Sequence, residues 1–127
     1  MNKAEIDRYL PQAYLALQEF GIAKSGKVSG TFRGYISSFG ASITMGSLRA
    51  AIAFHSQQNN ALLPRDSLMK ALYYLITEPA SVAEVESTSL LRYVFDHPEK
   101  EAEITEHIYN ASIALKLAMN MYVIAED

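Results

Sequence analysis

The residues best equipped for chemistry in this chain are three histidines and one glycine loop that carries lysine. Gly21-Ile-Ala-Lys-Ser-Gly26-Lys27 fits the G-x-x-x-x-G-K half of a phosphate-binding loop. That loop needs a buried strand before it and a hydroxyl after its lysine to hold magnesium. Here a helical pattern precedes it and Val28 stands where the hydroxyl should be, so the segment reads as a basic Gly/Ser loop. Glu103 and His107 lie four apart and could share one helix face, but a catalytic zinc needs a third protein ligand. Neither H-E-x-x-H nor E-x-x-H occurs. His97 precedes Pro98 at a helix end, and His55 follows Phe54 near another, so the ordinary roles are surface and capping ones. No cysteine and no G-x-S-x-G turn supplies a nucleophile. The expectation is a protein that is not an enzyme, with no catalytic residue, metal or cofactor.

Charge is the stronger pointer. The net charge is −3, but residues 1–70 carry +4 and residues 71–127 carry −7. From Lys24 to Lys70 there are six basic residues, Lys24, Lys27, Arg33, Arg49, Arg65 and Lys70, against the single acid Asp66. A bipolar distribution suits a polyanion on one side and a basic neighbour on the other. It also arises from helix-dipole matching and solubility alone. Tyr35, two positions after Arg33, is the aromatic placed to stack a base beside cations. The other aromatics fall mostly on apolar stripes and read as core.

The elements that position these residues are helical. A chain of 127 residues is one domain by size, 1–127, and half of it is hydrophobic. Ile6, Leu10, Ala13, Leu17 and Phe20 form a stripe at helical spacing, with Pro11 expected to kink or divide it near Tyr9 and Gly21 to stop it. Residues 24–30 read as a flexible loop. Phe32, Tyr35, Ile36, Phe39 and Ile43 mark a second helix. Ser47 caps a third with Leu48, Ala51, Ile52 and Phe54, which fades into Gln57-Gln58-Asn59-Asn60. Pro64 opens a fourth, with Leu68, Leu72, Leu75 and Ile76. A capping box, Ser81 to Glu84, starts a segment anchored by Leu91, Val94 and Phe95 and closed by His97-Pro98. The last helix gathers Glu99, Glu101, Glu103 and Glu106 at its start, all expected to stay exposed, and then carries Ile104, Ile108, Ala111, Leu115, Ala118 and Tyr122. No strand alternation stands out. The fold class is all-α, a single-domain bundle of about six helices. No apolar run of membrane-spanning length and no signal-peptide pattern is present, so the expected location is cytoplasmic with no membrane partner.

From Arg33 to Gln57, the chain carries Tyr35, a helix, Ile43, a Gly46-Ser-Leu48 turn, and an apolar run through Ala51 and Ala53 to Phe54. This order resembles the signature of the small subunit of the type III-B (Cmr) CRISPR effector complex. Ala114-Leu115 through Ala125-Glu126 is similar to that family's final Ala/Leu-rich helix. The resemblance implies a non-catalytic, RNA-binding architectural subunit of an antiviral ribonucleoprotein, lining the duplex of guide RNA and target RNA through phosphates. Its partners would be the other Cmr subunits and copies of itself in a filament. Family members often place Trp and basic residues in the last helix, where this chain has Asn120, Tyr122 and Val123. The expected RNA contacts therefore fall on Lys24, Lys27, Arg33 and Arg49, with Arg65 and Lys70 next. The alternative is a helical protein–protein adaptor that never touches RNA. Clustered basic side chains would favour the first reading, and their pairing with C-terminal glutamates the second.

Overall fold

The structure, a computed structural model, describes residues 1–58 and 62–125. Asn59 and Asn60 of the expected polar turn, and Glu126 of the expected final helix, lie outside the described residues. The described chain is a mostly helical bundle of six α-helices: α1 Lys3–Glu19, α2 Gly30–Met45, α3 Leu48–His55, α4 Asp66–Thr77, α5 Ser89–Asp96 and α6 Glu101–Met119. Short 3-10 turns occupy Val82–Glu84 and Pro98–Lys100.

Helix α1 lies along α6, the most extensive pairing among the described elements; α4 packs on both, and α2 packs on α6. Ala13 and Ala16 of α1 and Ala111, Ala114 and Ala118 of α6 are fully buried, and their small side chains allow the axes to approach closely. Pro11 does not divide α1, which runs unbroken from Lys3 to Glu19. The backbone bond that proline removes would have gone to the Asp7 carbonyl; both residues lie on the exposed side, where water takes the place of the lost donor.

The caps follow the sequence closely. Asn2 and Ser47 accept from Glu5 N and Ala50 N at the starts of α1 and α3. Ser81 accepts from Ala83 N, but the capping box opens only one 3-10 turn, and α5 begins at Ser89. Helix α4 begins at Asp66 rather than at Pro64. Two aromatics expected in the core lie at the surface: Phe54 is 53% exposed and Phe95 50% exposed. The turn of α3 buries Leu48, Ala51, Ile52 and His55 instead, and α5 buries Leu90 and Val94.

A small sheet accompanies the helices. Strands β1 Ala23–Lys24 and β2 Lys27–Ser29 form an antiparallel hairpin, and β3 Val123–Ala125 adds parallel to β2. The loop expected at 24–30 is thus ordered strand structure, and the final helix stops at Met119 instead of continuing to residue 125. Bonds from Met121 N to Ala118 O and from Tyr122 N to Met119 O turn the chain out of α6, and Val123 N then donates to Gly26 O. The Tyr122 hydroxyl donates to Tyr14 O at 2.8 Å while the two rings stack with centroids 4.7 Å apart, fixing the sheet to α1. Among the described residues no helix is long and apolar enough to cross a membrane.

Candidate nucleic-acid interface

The basic hairpin is built by its glycines. Gly21 at φ 73° ends α1, with its N–H bonded to Gln18 O and that of Ile22 to Leu17 O, the paired bonds of a Schellman close. Four residues after Gly21 the chain turns back at Ser25 and Gly26, both with positive φ (53° and 76°), as a two-residue type I′ hairpin requires. Lys24 and Lys27 flank that turn and are cross-strand partners in register. Their side chains therefore leave the sheet from neighbouring positions, and like charges directly opposite one another repel. Ser29, the last residue of β2, caps α2 by accepting from Thr31 N at 3.1 Å.

Lys24 and Lys27 wall an open cleft of about 520 Å³, whose other lining includes Phe20, Phe32, Leu63 and Ser67. Among the described residues neither lysine makes an ion pair, and neither does Arg33. The end of the Lys24 side chain lies over Gly21, with Cε 3.6 Å from where a Cβ there would be. This places a cation near the C-terminus of α1, which has no basic residue in its own last turn.

The other three predicted cations are engaged inside the molecule. Arg49 Nε donates to Glu101 Oε1 at 2.6 Å, and its guanidinium lies 5.3 Å from the centre of the Phe95 ring. Lys70 approaches Asp66 at 3.9 Å, one helical turn away. Arg65 lies over the Tyr35 ring at 4.0 Å and near Phe54 at 5.2 Å, with Nη1 3.4 Å from His55 Nε2. The predicted site thus divides into an open group, Lys24, Lys27 and Arg33, and a tied group, Arg49, Arg65 and Lys70. Tyr35 does not share a surface with Arg33, because residues two apart on a helix point about 200° apart. Its cationic neighbour is Arg65, from a segment thirty residues on, and that guanidinium covers the ring expected to stack a base.

Each histidine has a structural partner. His55, expected at the surface, is 1% exposed and packs edge-on against Phe39 and Phe54. Its Nδ1 lies 2.9 Å from Ala51 O; a carbonyl can only accept, so the proton is on Nδ1 and Nε2 is free to accept from Arg65. Burial pushes the His55 pKa down, the bond to Ala51 O pulls it up, and the Arg65 charge lowers it further; the net shift is downward and the ring is neutral. The position was readable from sequence, since Leu48, Ala51, Ile52 and His55 fall at i, i+3, i+4 and i+7. His97 Nδ1 donates to Tyr93 O at 2.8 Å as α5 ends.

His107 donates through Nδ1 to Glu5 Oε2 at 2.8 Å rather than pairing with Glu103. The other oxygen of this buried carboxylate accepts from Asn110 Nδ2 at 2.8 Å, and Arg8 Nη2 reaches Oε2 at 3.2 Å. Asn110 Oδ1 in turn accepts from Asn2 N, closing a polar clasp between the start of α1 and the middle of α6. Burial raises the Glu5 pKa, but the bonds from Asn110 and His107 and the charges of His107 and Arg8 outweigh it, and the net shift is downward. Among the described residues no group of three or more His, Cys, Asp and Glu is placed to hold a metal ion.

On the acidic side, Glu99, Glu103 and Glu106 are exposed, and Glu106 approaches the N-terminal ammonium at 3.5 Å. Glu101 is only partly exposed because Arg49 covers it. No protein-family model, curated protein or solved structure matches the chain.

Proposed function

We propose that this protein is a non-catalytic, RNA-binding architectural subunit of an RNA-guided antiviral ribonucleoprotein, the role its resemblance to the Cmr small subunit implies. The observation that supports this best is the Lys24–Lys27 pair, held opposite each other across a tight hairpin, open to a cleft and without a carboxylate among the described residues. A bound phosphate offsets the repulsion between them. Arg33, on the first turns of the helix that follows the hairpin, is half-buried and makes no ion pair among the described residues, and it is taken as a third phosphate contact. Such a surface reads backbone charge rather than bases, and sequence selection is left to pairing between guide and target. The exposed glutamates at the start of α6 leave the opposite sign for basic neighbouring subunits or further copies of the chain. The cytoplasm is the location that fits this role.

One observation favours the adaptor reading for part of the basic set. Arg49 is paired with Glu101, which is the internal neutralisation an adaptor without RNA contact would show. We assign Arg49 and Lys70 to architecture and the hairpin to RNA. The test is target-RNA retention by complexes assembled with Lys24→Ala/Lys27→Ala/Arg33→Ala. Retention falls to a similar degree for unrelated guide sequences, while assembly is unchanged. Normal retention with an unaltered salt dependence would leave the adaptor as the better account.

A further inference from the structure

Arg65 is a half-buried cation without a carboxylate partner among the described residues, yet it is held by two rings and an imidazole. Tyr35 and Phe54 pack on the guanidinium, and His55 Nε2 accepts from Nη1. Asp66, its neighbour in sequence, is turned to Lys70. A guanidinium has five N–H donors, and the described structure engages one of them. Among the described residues the other Arg65 donors have no hydrogen-bond partner, and the side chain is only half-buried. The fork is thus packed by two rings and bonded at one corner, with its other donors uncommitted among the described residues. Pro64 and Ser67, from the same segment, line the cleft that Lys24 and Lys27 wall.

We infer that Arg65 is a preorganised receptor for one phosphate oxyanion of the RNA backbone, with His55 as its positioning residue and Tyr35 and Phe54 as its clamp. This rests on the RNA-binding reading above. A planar fork matches two oxygens of a phosphate, and an arginine already immobilised loses less freedom on binding than a surface lysine. The neutral imidazole suits this task because it accepts a hydrogen bond without adding a charge that would repel the guanidinium or cancel its attraction for an anion. His55 acts through Arg65 and touches no ligand itself.

The experiment uses the isotope-labelled whole chain and follows the Arg65 Nε–H resonance and the Lys24 and Lys27 amides during titration with inorganic phosphate, acetate and a single-stranded RNA oligonucleotide. Phosphate and RNA should both move the Arg65 signal. Arg65→Lys, which keeps the charge but loses the fork, should weaken RNA binding about tenfold. His55→Phe should weaken it in the same direction, and His55→Gln, which retains an acceptor, should restore much of it. The titrations of the unaltered chain stand whether or not these variants fold. If RNA moves the hairpin amides but not Arg65, and Arg65→Lys binds equally well, the inference is overturned while the RNA-binding reading survives. A response to acetate but not to phosphate or RNA would overturn it in favour of a carboxylate on a neighbouring protein. No response anywhere to RNA or phosphate would overturn both.

Discussion

The Glu5 clasp and the Lys24–Lys27 hairpin treat charge in opposite ways. At the clasp, one buried carboxylate receives bonds from Asn110, His107 and Arg8, so its charge is fully answered within the molecule. At the hairpin, two lysines stand at paired positions beside a turn and no described carboxylate answers either. The clasp ties α1 to α6 and has nothing left to offer a ligand. The hairpin buries Ala23 and Val28 in the core but leaves its two lysines exposed, so their charge stays available. Availability, rather than the number of basic residues, separates a binding surface from an architectural one.

The largest expected effect breaks the compensated side. Glu5→Ala leaves Asn110 and His107 without their acceptor and should lower unfolding stability by about 2–3 kcal/mol in denaturant titrations, with the RNA salt dependence unchanged. The same carboxylate gives a pH signature. Its folded pKa lies below the ordinary 4.5, so its contribution is complete above that value and is lost as pH falls through the folded pKa. In Glu5→Gln that component of acid unfolding should be absent from a stability-against-pH curve.

His55 adds a separate window at higher pH. Its folded pKa is depressed from 6.5, so the unfolded chain takes up a proton first, and stability should begin to fall as pH drops below that value. His55→Phe should flatten this part of the curve while leaving the Glu5 window in place, even if the overall stability changes. A curve with the same slope near pH 6 in both proteins would show that the buried imidazole is not the group responsible.

Smaller effects sharpen the comparison from the other side. Lys24→Ala/Lys27→Ala removes a repulsion, so stability should hold or rise by about 0.2–0.5 kcal/mol. The slope of RNA affinity against salt should fall by about 1.4, at about 0.7 per lost phosphate contact on a single strand. A large loss of stability would mean that the hairpin lysines are structural after all. Smallest is Arg49→Ala: this pair is substantially exposed, so its removal should cost less than about 1 kcal/mol and leave the RNA slope untouched.

The helices were legible because burial repeats at helical spacing, and Ser47 announced the start of α3 in the sequence. The sheet was not, because strands of two and three residues are too short to alternate visibly, and β3 joins β2 from the far end of the chain. The Lys-Ser-Gly-Lys stretch did carry a two-residue turn signal, which identifies a hairpin only if the flanks are already taken as strands. Six basic residues between Lys24 and Lys70 make the charge distribution uneven in the sequence, but which of them find internal partners depends on contacts distant in sequence. Arg49 meets Glu101 only because α3 and the start of α6 are brought together by the fold. Arg65 meets Tyr35 across thirty residues. Tyr35 illustrates the limit: its nearness to Arg33 in sequence suggested a shared surface, and the helix separates them.

The parallel pairing of Lys27 with Val123 has a consequence for how the chain is made. During synthesis the hairpin leaves the ribosome long before the strand that flanks it, so it must wait as a two-stranded ribbon, which is marginal in water on its own. Its final geometry is set only after residues 123–125 emerge and close a contact spanning most of the chain, a slow kind of closure. A tag or fusion attached close to residue 125 would therefore act on a distant part of the sequence, loosening Lys24 of β1 and Lys27 of β2 before it disturbed any helix.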